Sequence, residues 1–425
     1  MTASAQGAEA ALVSVLIQLI VMIAAARGLN TLFRKLGQPG VIGEIMAGLI
    51  LGPSLFGHLF PGAALALFGA APAPAINMIS QIGLTLLMFQ IGMDFEFGLL
   101  ASGRNRRAVT AVAFASVATP LALGVSLGWL AAPILAGGTD RLAFSLFTGV
   151  ALAITAVPIL GRILREFDLT RTRIGVVAIS AAAMNDLAGW VMLAAISTYA
   201  AARFTGAGLA VQLGGLAALG LLCRFGLWPA CAWLVRKLPL RNGDLAPNLM
   251  AVVLVLVMAL AICTAKLGVF AIFGGFAAGL LFHRHAAFVA AWRRQVGQFV
   301  LVFFLPVFFT FTGLRTNVLG LAAGDLQWLM LILAVAVLGK LVPVYVAGRL
   351  TGFDRDEAAI LATLMNTRAL MELIVLNVGY DLGVVPQKVF TMLVIMAVAT
   401  TVMTGPLLRM LLPRTGHVAP VGVEA

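Results

Sequence analysis

Two adjacent polar residues, Asn185 and Asp186, lie near the middle of an apolar run, residues 174–200, that is long enough to cross a lipid bilayer. A helix rises about 1.5 Å per residue, which places Asp186 roughly 18 Å into the run, near the centre of a hydrocarbon core about 30 Å thick. A carboxylate at that depth is costly and usually marks an ion or proton pathway. We therefore predict a binding role for Asp186; the alternative is a carboxylic acid that only stabilises helix packing.

A second membrane-length segment, residues 142–164, contains residues that interrupt helices. Pro158 lacks the backbone N–H that a helix interior needs, and the hydroxyl of Thr155 can bond to the local backbone. We expect the helix to break around 154–158, although an ordinary kinked helix has the same signature. Backbone freed at membrane depth is tolerated only against protein or a wet cavity, where its carbonyls can serve as ion ligands.

A third segment, residues 357–378, carries Asn366, Thr367 and Arg368 in succession at its middle. Three polar residues interrupt the apolar helix and place a cation inside it, so this segment is also predicted to break. If the two breaks meet, helix ends of both dipole signs come together at the midplane of the membrane. Charged side chains would then be needed to balance these dipoles.

Suitable charges are present at similar depth. Lys340 and Arg368 are the two deeply placed cations, and Asp186 and Glu372 are the candidate anions. Arg368 and Glu372 are four residues apart on one predicted helix, so their side chains can pair directly. We interpret that pair as structural and assign Lys340, Arg368 and Glu372 to tuning the charge of the site.

The elements that must position these residues are predicted from hydropathy. Hydrophobic residues make up 62% of the chain and charged residues 10%, and the mean hydropathy is +1.06. These values are typical of an all-α polytopic membrane protein and exclude an ordinary soluble core. Thirteen apolar runs are predicted to span the membrane: 11–29, 39–54, 75–92, 107–130, 142–164, 174–200, 207–235, 247–264, 268–283, 297–314, 325–348, 357–378 and 387–411.

The thirteen runs divide into two halves around a linker. Six runs precede the span at 207–235 and six follow it, so we predict a first repeat over 11–200 and a second over 247–411. Because the two halves begin on opposite sides of the membrane, the repeats would be inverted, as in many secondary transporters. The predicted breaks support this division, since each falls in the fifth run of its half.

The basic residues predict the orientation of the chain. Of 28 Lys and Arg residues, twenty fall in one set of alternating loops and five in the other, and the remaining three lie inside the predicted spans. By the positive-inside rule the N-terminus is outside and the C-terminus is in the cytoplasm. Residues 1–10 are then a short external N-terminus, 11–411 a transmembrane domain and 412–425 a short cytoplasmic tail. The net charge of +12 is a signal of topology and not of nucleic-acid binding.

Six ordered stretches resemble the membrane domain of monovalent cation:proton antiporter family 2, which includes sodium/proton and potassium/proton exchangers. They are GQPGVIGEIMAGLILGPSLFG (37–57), AITAVPILGRIL (153–164), the Asn-Asp pair (185–186), AIFGGFAAGLLF (271–282), FFLPVFFTFTGLRTN (303–317) and MNTRALMELIVLNVG (365–379). The resemblance implies inverted repeats with two crossing broken helices and a core domain that moves against a dimerisation domain. It also implies a homodimer, which we expect in a bacterial plasma membrane.

The resemblance implies roles for individual residues. Asp186 matches the carboxylate that binds cation and proton in turn, and Asn185 takes the place of a second Asp found in some relatives. Thr155 matches a broken-helix residue that lends oxygen to the cation, and Lys340 matches a deep lysine associated with the site. This chain departs from some Asn-Asp exchangers, which carry a serine one helical turn before the Asn, because residues 181–183 are all alanine.

Together these features predict a secondary antiporter that exchanges a monovalent cation for H⁺ by alternating access at Asp186, with Na⁺ favoured over K⁺. With Asn185 uncharged, Asp186 alone exchanges one proton for one cation, which is an electroneutral cycle. A second proton released from Lys340 would make the cycle electrogenic, and this alternative stays open. No cofactor is expected, and pH homeostasis is one role that such exchange would serve.

Other function classes are less well supported by the residues. A cation channel would need a selectivity filter, and no repeated filter segment or ring-forming acidic motif is present. An intramembrane enzyme is not expected, since no histidine lies at mid-depth and HExxH is absent. A sodium-coupled organic anion transporter of related architecture stays open and would show substrate-dependent sodium uptake.

Overall fold

Helices run along almost the whole chain. The computed structural model describes residues 3–69, 74–93, 105–201, 206–238, 240, 243–368 and 370–415, and these residues form no β-strand. The helices of the first half are α1 (Ala3–Lys35), α2 (Gly40–Leu51), α3 (Phe56–Leu59), α4 (Pro61–Phe68), α5 (Pro74–Met93), α6 (Arg106–Leu135), α7 (Arg141–Ala153), α8 (Val157–Glu166) and α9 (Arg173–Ala201).

The second half is helical in the same way. Its helices are α10 (Gly206–Leu221), α11 (Trp228–Lys237), α12 (Pro247–Lys266), α13 (Ala271–Phe282), α14 (Ala286–Trp292), α15 (Leu305–Leu314), α16 (Ala323–Leu350), α17 (Arg355–Met365), α18 (Leu370–Asp381) and α19 (Gln387–Leu411). Three π-helical stretches (Leu222–Leu227, Arg293–Gly297 and Val300–Phe304) and a final 3₁₀ turn (Leu412–Thr415) complete the described secondary structure.

Each of the thirteen predicted runs coincides with helical structure, but not every run is a full span. In the described part of the chain, ten helical segments are long and apolar enough to cross a membrane, and a pair bent by 45°, Ala286–Gly297 with Val300–Leu314, brings the number to eleven. The apolar helices Arg141–Ala153 and Ala271–Phe282 are too short to cross alone. The first is short because its helix breaks in the middle of the predicted run.

The tenth predicted run, 297–314, is preceded by further helical structure. The charges of Arg293 and Arg294 predict a loop before residue 297, but the chain is helical from Ala286 and bends by 45° before Val300. Both arginines are exposed on the surface of a π-helical stretch. Charged side chains on the exposed face of a helix do not end the helix. Helical structure therefore extends beyond the boundary that hydropathy predicts at residue 297.

The described chain forms two compact units. The first comprises residues 1–28, 44–96 and 197–315, and the second comprises 29–43, 97–196 and 316–425. Each unit draws segments from both halves of the sequence, so the spatial division does not follow the two predicted repeats. One apolar cluster of the first unit consists of Leu19, Met22, Phe68, Ile76, Val307, Phe311 and Leu314.

The second unit contains every residue that we predicted for the site. Within it, α6 packs against the first half of the broken helix, α7, through glycine. A Cβ atom on Gly124 of α6 would lie 2.7 Å from the Cα atom of Gly149 on α7. Small residues of this kind allow two membrane helices to approach closely.

Substitution of Gly124 by Ala is expected to destabilise the protein by about 1–3 kcal/mol, because the added methyl group overpacks the contact with Gly149. Gly324→Ala is the matched control, since Gly324 is exposed in the first turn of α16 and a Cβ there meets nothing within 4 Å. The control should be neutral or stabilising by about 0.4–1 kcal/mol. Thermal unfolding of the two variants in detergent compares them, and equal midpoints would contradict the packing argument.

Candidate functional site

The first broken helix lies where the sequence predicted it. α7 ends at Ala153 and α8 begins at Val157; between them, Ile154 (φ −70°, ψ 144°) and Ala156 (φ −90°, ψ 102°) are extended. Pro158 falls in the first turn of α8 and not in the break itself. Proline is tolerated there because the first N–H groups of a helix have no intrahelical partner.

The second break follows α17, and the two breaks meet. Between Met365 and the start of α18, the backbone leaves the helix at residues 366–368. The N–H of Ala156 donates a hydrogen bond to the carbonyl of Thr367 at 3.3 Å, and the Thr155 hydroxyl donates to the carbonyl of Met365 at 3.1 Å. The extended segment of one broken helix is therefore fixed directly against the other.

The second break is also held by α19. The Thr401 hydroxyl donates to the carbonyl of Arg368 at 3.1 Å and lies 3.3 Å from the backbone nitrogen of the same residue. The Asn366 amide nitrogen lies 3.7 Å from the sulfur of Met403, and the hydroxyls of Thr367 and Thr404 are 3.5 Å apart. The side chains of Asn366 and Thr367 thus contact α19, and these contacts help to hold the backbone of the second break in place.

Asp186 lies at the N-terminal end of α8. Its carboxylate accepts a hydrogen bond from the backbone N–H of Val157, the first residue of that helix. The side chain is buried, with 3% of its surface exposed. Among the described residues, no group donates a hydrogen bond to its Oδ1 atom. The helix end supplies positive partial charge to the carboxylate, and one oxygen is left to bind a proton or a cation.

Lys340 lies at the opposite helix end of the same break. Its Nζ atom donates hydrogen bonds to the carbonyl oxygens of Ala153 and Ile154, the latter at 2.9 Å. These carbonyls end α7, where the helix dipole is negative. In the described part of the chain, no ion pair within 4.0 Å joins Lys340 to Asp186. The two charges therefore compensate the two ends of one broken helix.

Arg368 and Glu372 form the ion pair that their spacing predicts. Nη1 of Arg368 lies 3.8 Å from Oε2 of Glu372, and both side chains are fully buried. The guanidinium also donates to the carbonyls of Ala151 at 2.9 Å and Ala336 at 3.2 Å. Arg368 thus ties the second break to the last turn of α7 and to α16, in addition to pairing with Glu372.

Asn185 has a partner that the sequence did not indicate. Its amide lies 2.7 Å from the hydroxyl of Ser116 on α6. When the amide is turned so that Nδ2 donates to the carbonyls of Ala181 and Ala113, at 3.2 Å each, its Oδ1 accepts from Ser116. The Thr155 hydroxyl is 3.4 Å from the same end of the amide. The Ser116 hydroxyl also lies 3.0 Å from the carbonyl of Ala113 in its own helix, as is usual for a serine in a helix, so nothing in the local sequence marks its contact with Asn185, 69 residues away in the chain.

The oxygen types gathered here suit a monovalent cation. Asp186 offers a carboxylate oxygen, Thr155 a hydroxyl and Asn185 an amide oxygen, whereas in the break the carbonyls of Ile154 and Ala156 already accept from Lys340 and from the N–H of Leu160. Such neutral and singly charged oxygens replace the water shell of an alkali ion. A cluster of three or more His, Cys, Asp or Glu side chains, which multivalent metals prefer, is not found in the described residues.

The chain is similar to known ion exchangers over almost its whole length. Residues 19–414 match the family described as "Sodium/hydrogen exchanger, transmembrane". The Na⁺/H⁺ antiporter NhaS4 of Synechocystis sp. is 35% identical over 411 residues, which cover 96% of this chain and 99% of that protein. The K⁺/H⁺ antiporter 1 of Saccharomyces cerevisiae is 28% identical; the match covers 90% of this chain and 44% of the yeast protein.

A solved structure has the same fold. The sodium proton antiporter MjNhaP1 of Methanocaldococcus jannaschii superposes with a TM-score of 0.66, covering 93% of this chain and 97% of that one. Only 15% of the residues are identical, so the likeness concerns the path of the chain and not the chemistry of individual side chains. The expected antiporter fold is confirmed.

Proposed function

The chain belongs to the sodium/hydrogen exchanger family, and from this premise we propose that it exchanges one monovalent cation for one proton at Asp186. The observation that carries the proposal is the buried carboxylate at the start of α8, whose Oδ1 accepts no hydrogen bond from the described residues. A proton and a partly dehydrated cation compete for this oxygen. Thr155 and Asn185 complete the ligand set, with water.

Coupling follows from charge compensation. When Asp186 carries a proton or a cation, the site is neutral and is exposed to the two sides of the membrane in turn. An empty carboxylate would move an uncompensated charge through a low dielectric, which is costly. The empty site therefore does not cross, and each cation moved one way is matched by a proton moved the other way.

We propose that Na⁺ is the favoured cation and K⁺ an alternative. The relative from Synechocystis is named a Na⁺/H⁺ antiporter and matches this chain over its full length, whereas the yeast protein is named a K⁺/H⁺ antiporter. The oxygen ligands suit both ions, so selectivity depends on the size of the site. The difference in coverage and identity supports sodium.

A one-to-one, electroneutral cycle is the stoichiometry that the charges favour. Asn185 cannot carry a second proton, and the ammonium of Lys340 is bonded to the carbonyls of Ala153 and Ile154 instead of to Asp186. We therefore assign Lys340 to stabilising the end of α7. The alternative, release of a second proton from Lys340, would make the cycle respond to voltage by about 2.3 kcal/mol per charge per 100 mV.

Orientation and assembly belong to the same proposal. The basic residues favour an external N-terminus and a cytoplasmic C-terminus in a bacterial plasma membrane. The transmembrane domain, residues 11–411, then comprises the two repeats and the linker span. We propose a homodimer, and the mass of the detergent-solubilised protein measured by light scattering tests this assembly.

The experiment that tests the function measures dissipation of an imposed pH gradient by purified protein in liposomes. Na⁺, K⁺ or Li⁺ is added outside, and valinomycin with K⁺ clamps the membrane potential in the sodium and lithium runs. We expect Na⁺ to collapse the gradient fastest and the rate to be independent of the clamped potential. Rates equal to those of protein-free liposomes would overturn the exchange proposal, and dependence on potential would overturn the electroneutral cycle.

A further inference from the structure

We propose that Ser116 is a positioning residue that holds the amide oxygen of Asn185 toward Thr155 and thereby sets the affinity of the cation site. This inference rests on the proposed function, because it concerns the same site. Ser116 belongs to α6, a helix to which neither the motifs nor the buried charges assign any part in the chemistry. Its hydroxyl is fully buried and lies 2.7 Å from the Asn185 amide and 3.0 Å from the carbonyl of Ala113 in its own helix.

A hydroxyl that donates to the Asn185 amide oxygen has to come from a helix other than α9. In α9 the turn before Asn185 consists of alanines at 181–183, which offer no side-chain donor. Only the carbonyl of Ala181 is available from that turn, and it accepts from the amide nitrogen. Burying an amide oxygen that accepts no hydrogen bond costs free energy. The Asn185 oxygen therefore depends on the Ser116 hydroxyl of α6 as its donor.

The two possible orientations of the amide are not equivalent. With Nδ2 toward Ser116, the oxygen faces only other acceptors; with Oδ1 toward Ser116, Nδ2 donates to the carbonyls of Ala181 and Ala113. The second orientation satisfies both ends: Ser116 donates its single proton to the Asn185 oxygen at 2.7 Å, and the carbonyl of Ala113, 3.0 Å from that hydroxyl, accepts from Nδ2 instead. It also places the amide oxygen 3.4 Å from the Thr155 hydroxyl, so two neutral oxygens of the proposed ligand set lie side by side.

Ser116 also leaves Thr155 free for the cation. Because Ser116 donates to the Asn185 oxygen, the single proton of the Thr155 hydroxyl is used in the bond to the carbonyl of Met365. Lone pairs of Thr155 are then available as ligands. Without Ser116, the Asn185 oxygen would compete for the Thr155 proton and turn both groups away from the cation.

The test compares Ser116→Ala with the matched control Ser145→Ala. Ser145 is also fully buried in the second unit, but its hydroxyl donates only to the carbonyl of Arg141 in its own helix, α7. Exchange in proteoliposomes gives the cation KM and maximal rate for each variant. We expect Ser116→Ala to raise the sodium KM about three- to tenfold, as loss of one hydrogen bond would, with the maximal rate changed less than about twofold. Ser145→Ala should match wild type.

A double-mutant cycle separates positioning from a general structural role. In an Asn185→Ala background, Ser116→Ala should cause no further change in KM, because the group it positions is gone. Equal KM values for Ser116→Ala and Ser145→Ala, or an undiminished effect of Ser116→Ala in the Asn185→Ala background, would overturn the inference.

A binding readout distinguishes failure of this inference from failure of the proposed function. Protection against thermal unfolding in detergent is titrated with NaCl and with KCl, choline chloride serving as the salt control. If Ser116→Ala needs more NaCl than wild type for the same protection, Ser116 positions the site even where no proton flux is seen. If sodium protects both proteins at the same concentration, the inference fails while cation binding stands. If sodium protects neither and no flux occurs, both proposals fail.

Discussion

Asp186→Asn is expected to reduce cation-coupled proton exchange to the level of protein-free liposomes. The amide has nearly the same size and can still accept from the N–H of Val157, so the local fold is retained. It carries no titratable proton and no charge to balance a cation, and the cycle loses the one group for which the two ions compete. The measurement is the sodium-dependent collapse of a pH gradient in proteoliposomes.

The matched control is Asp325→Asn. Asp325 lies at the start of α16, pairs with Lys388 at 3.0 Å and takes no part in the proposed site. Its amide variant should exchange as wild type does. If Asp186→Asn keeps the wild-type rate, Asp186 is structural and the proposed mechanism is wrong.

Competition at one carboxylate also predicts how wild-type transport depends on pH. As pH falls, protons occupy Asp186 and the apparent sodium KM should rise, approaching about tenfold for each pH unit where one proton is displaced per cation. The maximal rate at saturating sodium should change less. An apparent sodium KM that does not change with pH would contradict a shared site.

Arg368→Met is expected to destabilise the protein by about 3–5 kcal/mol, the usual cost of removing one partner of a buried ion pair. Glu372 would be left as a fully buried charge, and the carbonyls of Ala151 and Ala336 would each lose a donor. The unfolding midpoint in detergent measures the effect. Arg368→Met with Glu372→Leu should be less destabilised than Arg368→Met alone, because no unpaired charge remains.

Arg141→Met is the control for this prediction. Two N–H groups of Arg141 also donate to a backbone carbonyl, that of Trp129, but the arginine is exposed. Water can replace those bonds, and the midpoint should fall only slightly. Equal losses in Arg368→Met and Arg141→Met would mean that burial of the Arg368 pair adds nothing to stability.

The sequence alone predicted the parts of this protein that depend on local chemistry. Apolar runs predict helices in a bilayer wherever they occur, and a proline at 158 and three successive polar residues at 366–368 disfavour a continuous apolar helix near these positions. The pairing of Arg368 with Glu372 follows from a spacing of four residues on one helix. None of these predictions requires knowledge of which helices are neighbours.

Other features were decided by the tertiary structure, because they join residues far apart in the chain. Lys340 was predicted to be near the site, but only packing shows that it bonds the carbonyls of Ala153 and Ile154, 187 and 186 residues away. Ser116 gave no signal at all, since a lone serine in an apolar helix usually bonds its own backbone. Hydropathy records which residues avoid water and not which face of a helix meets which neighbour, so only the folded chain, in which Ser116 of α6 contacts Asn185 of α9, identifies this partner.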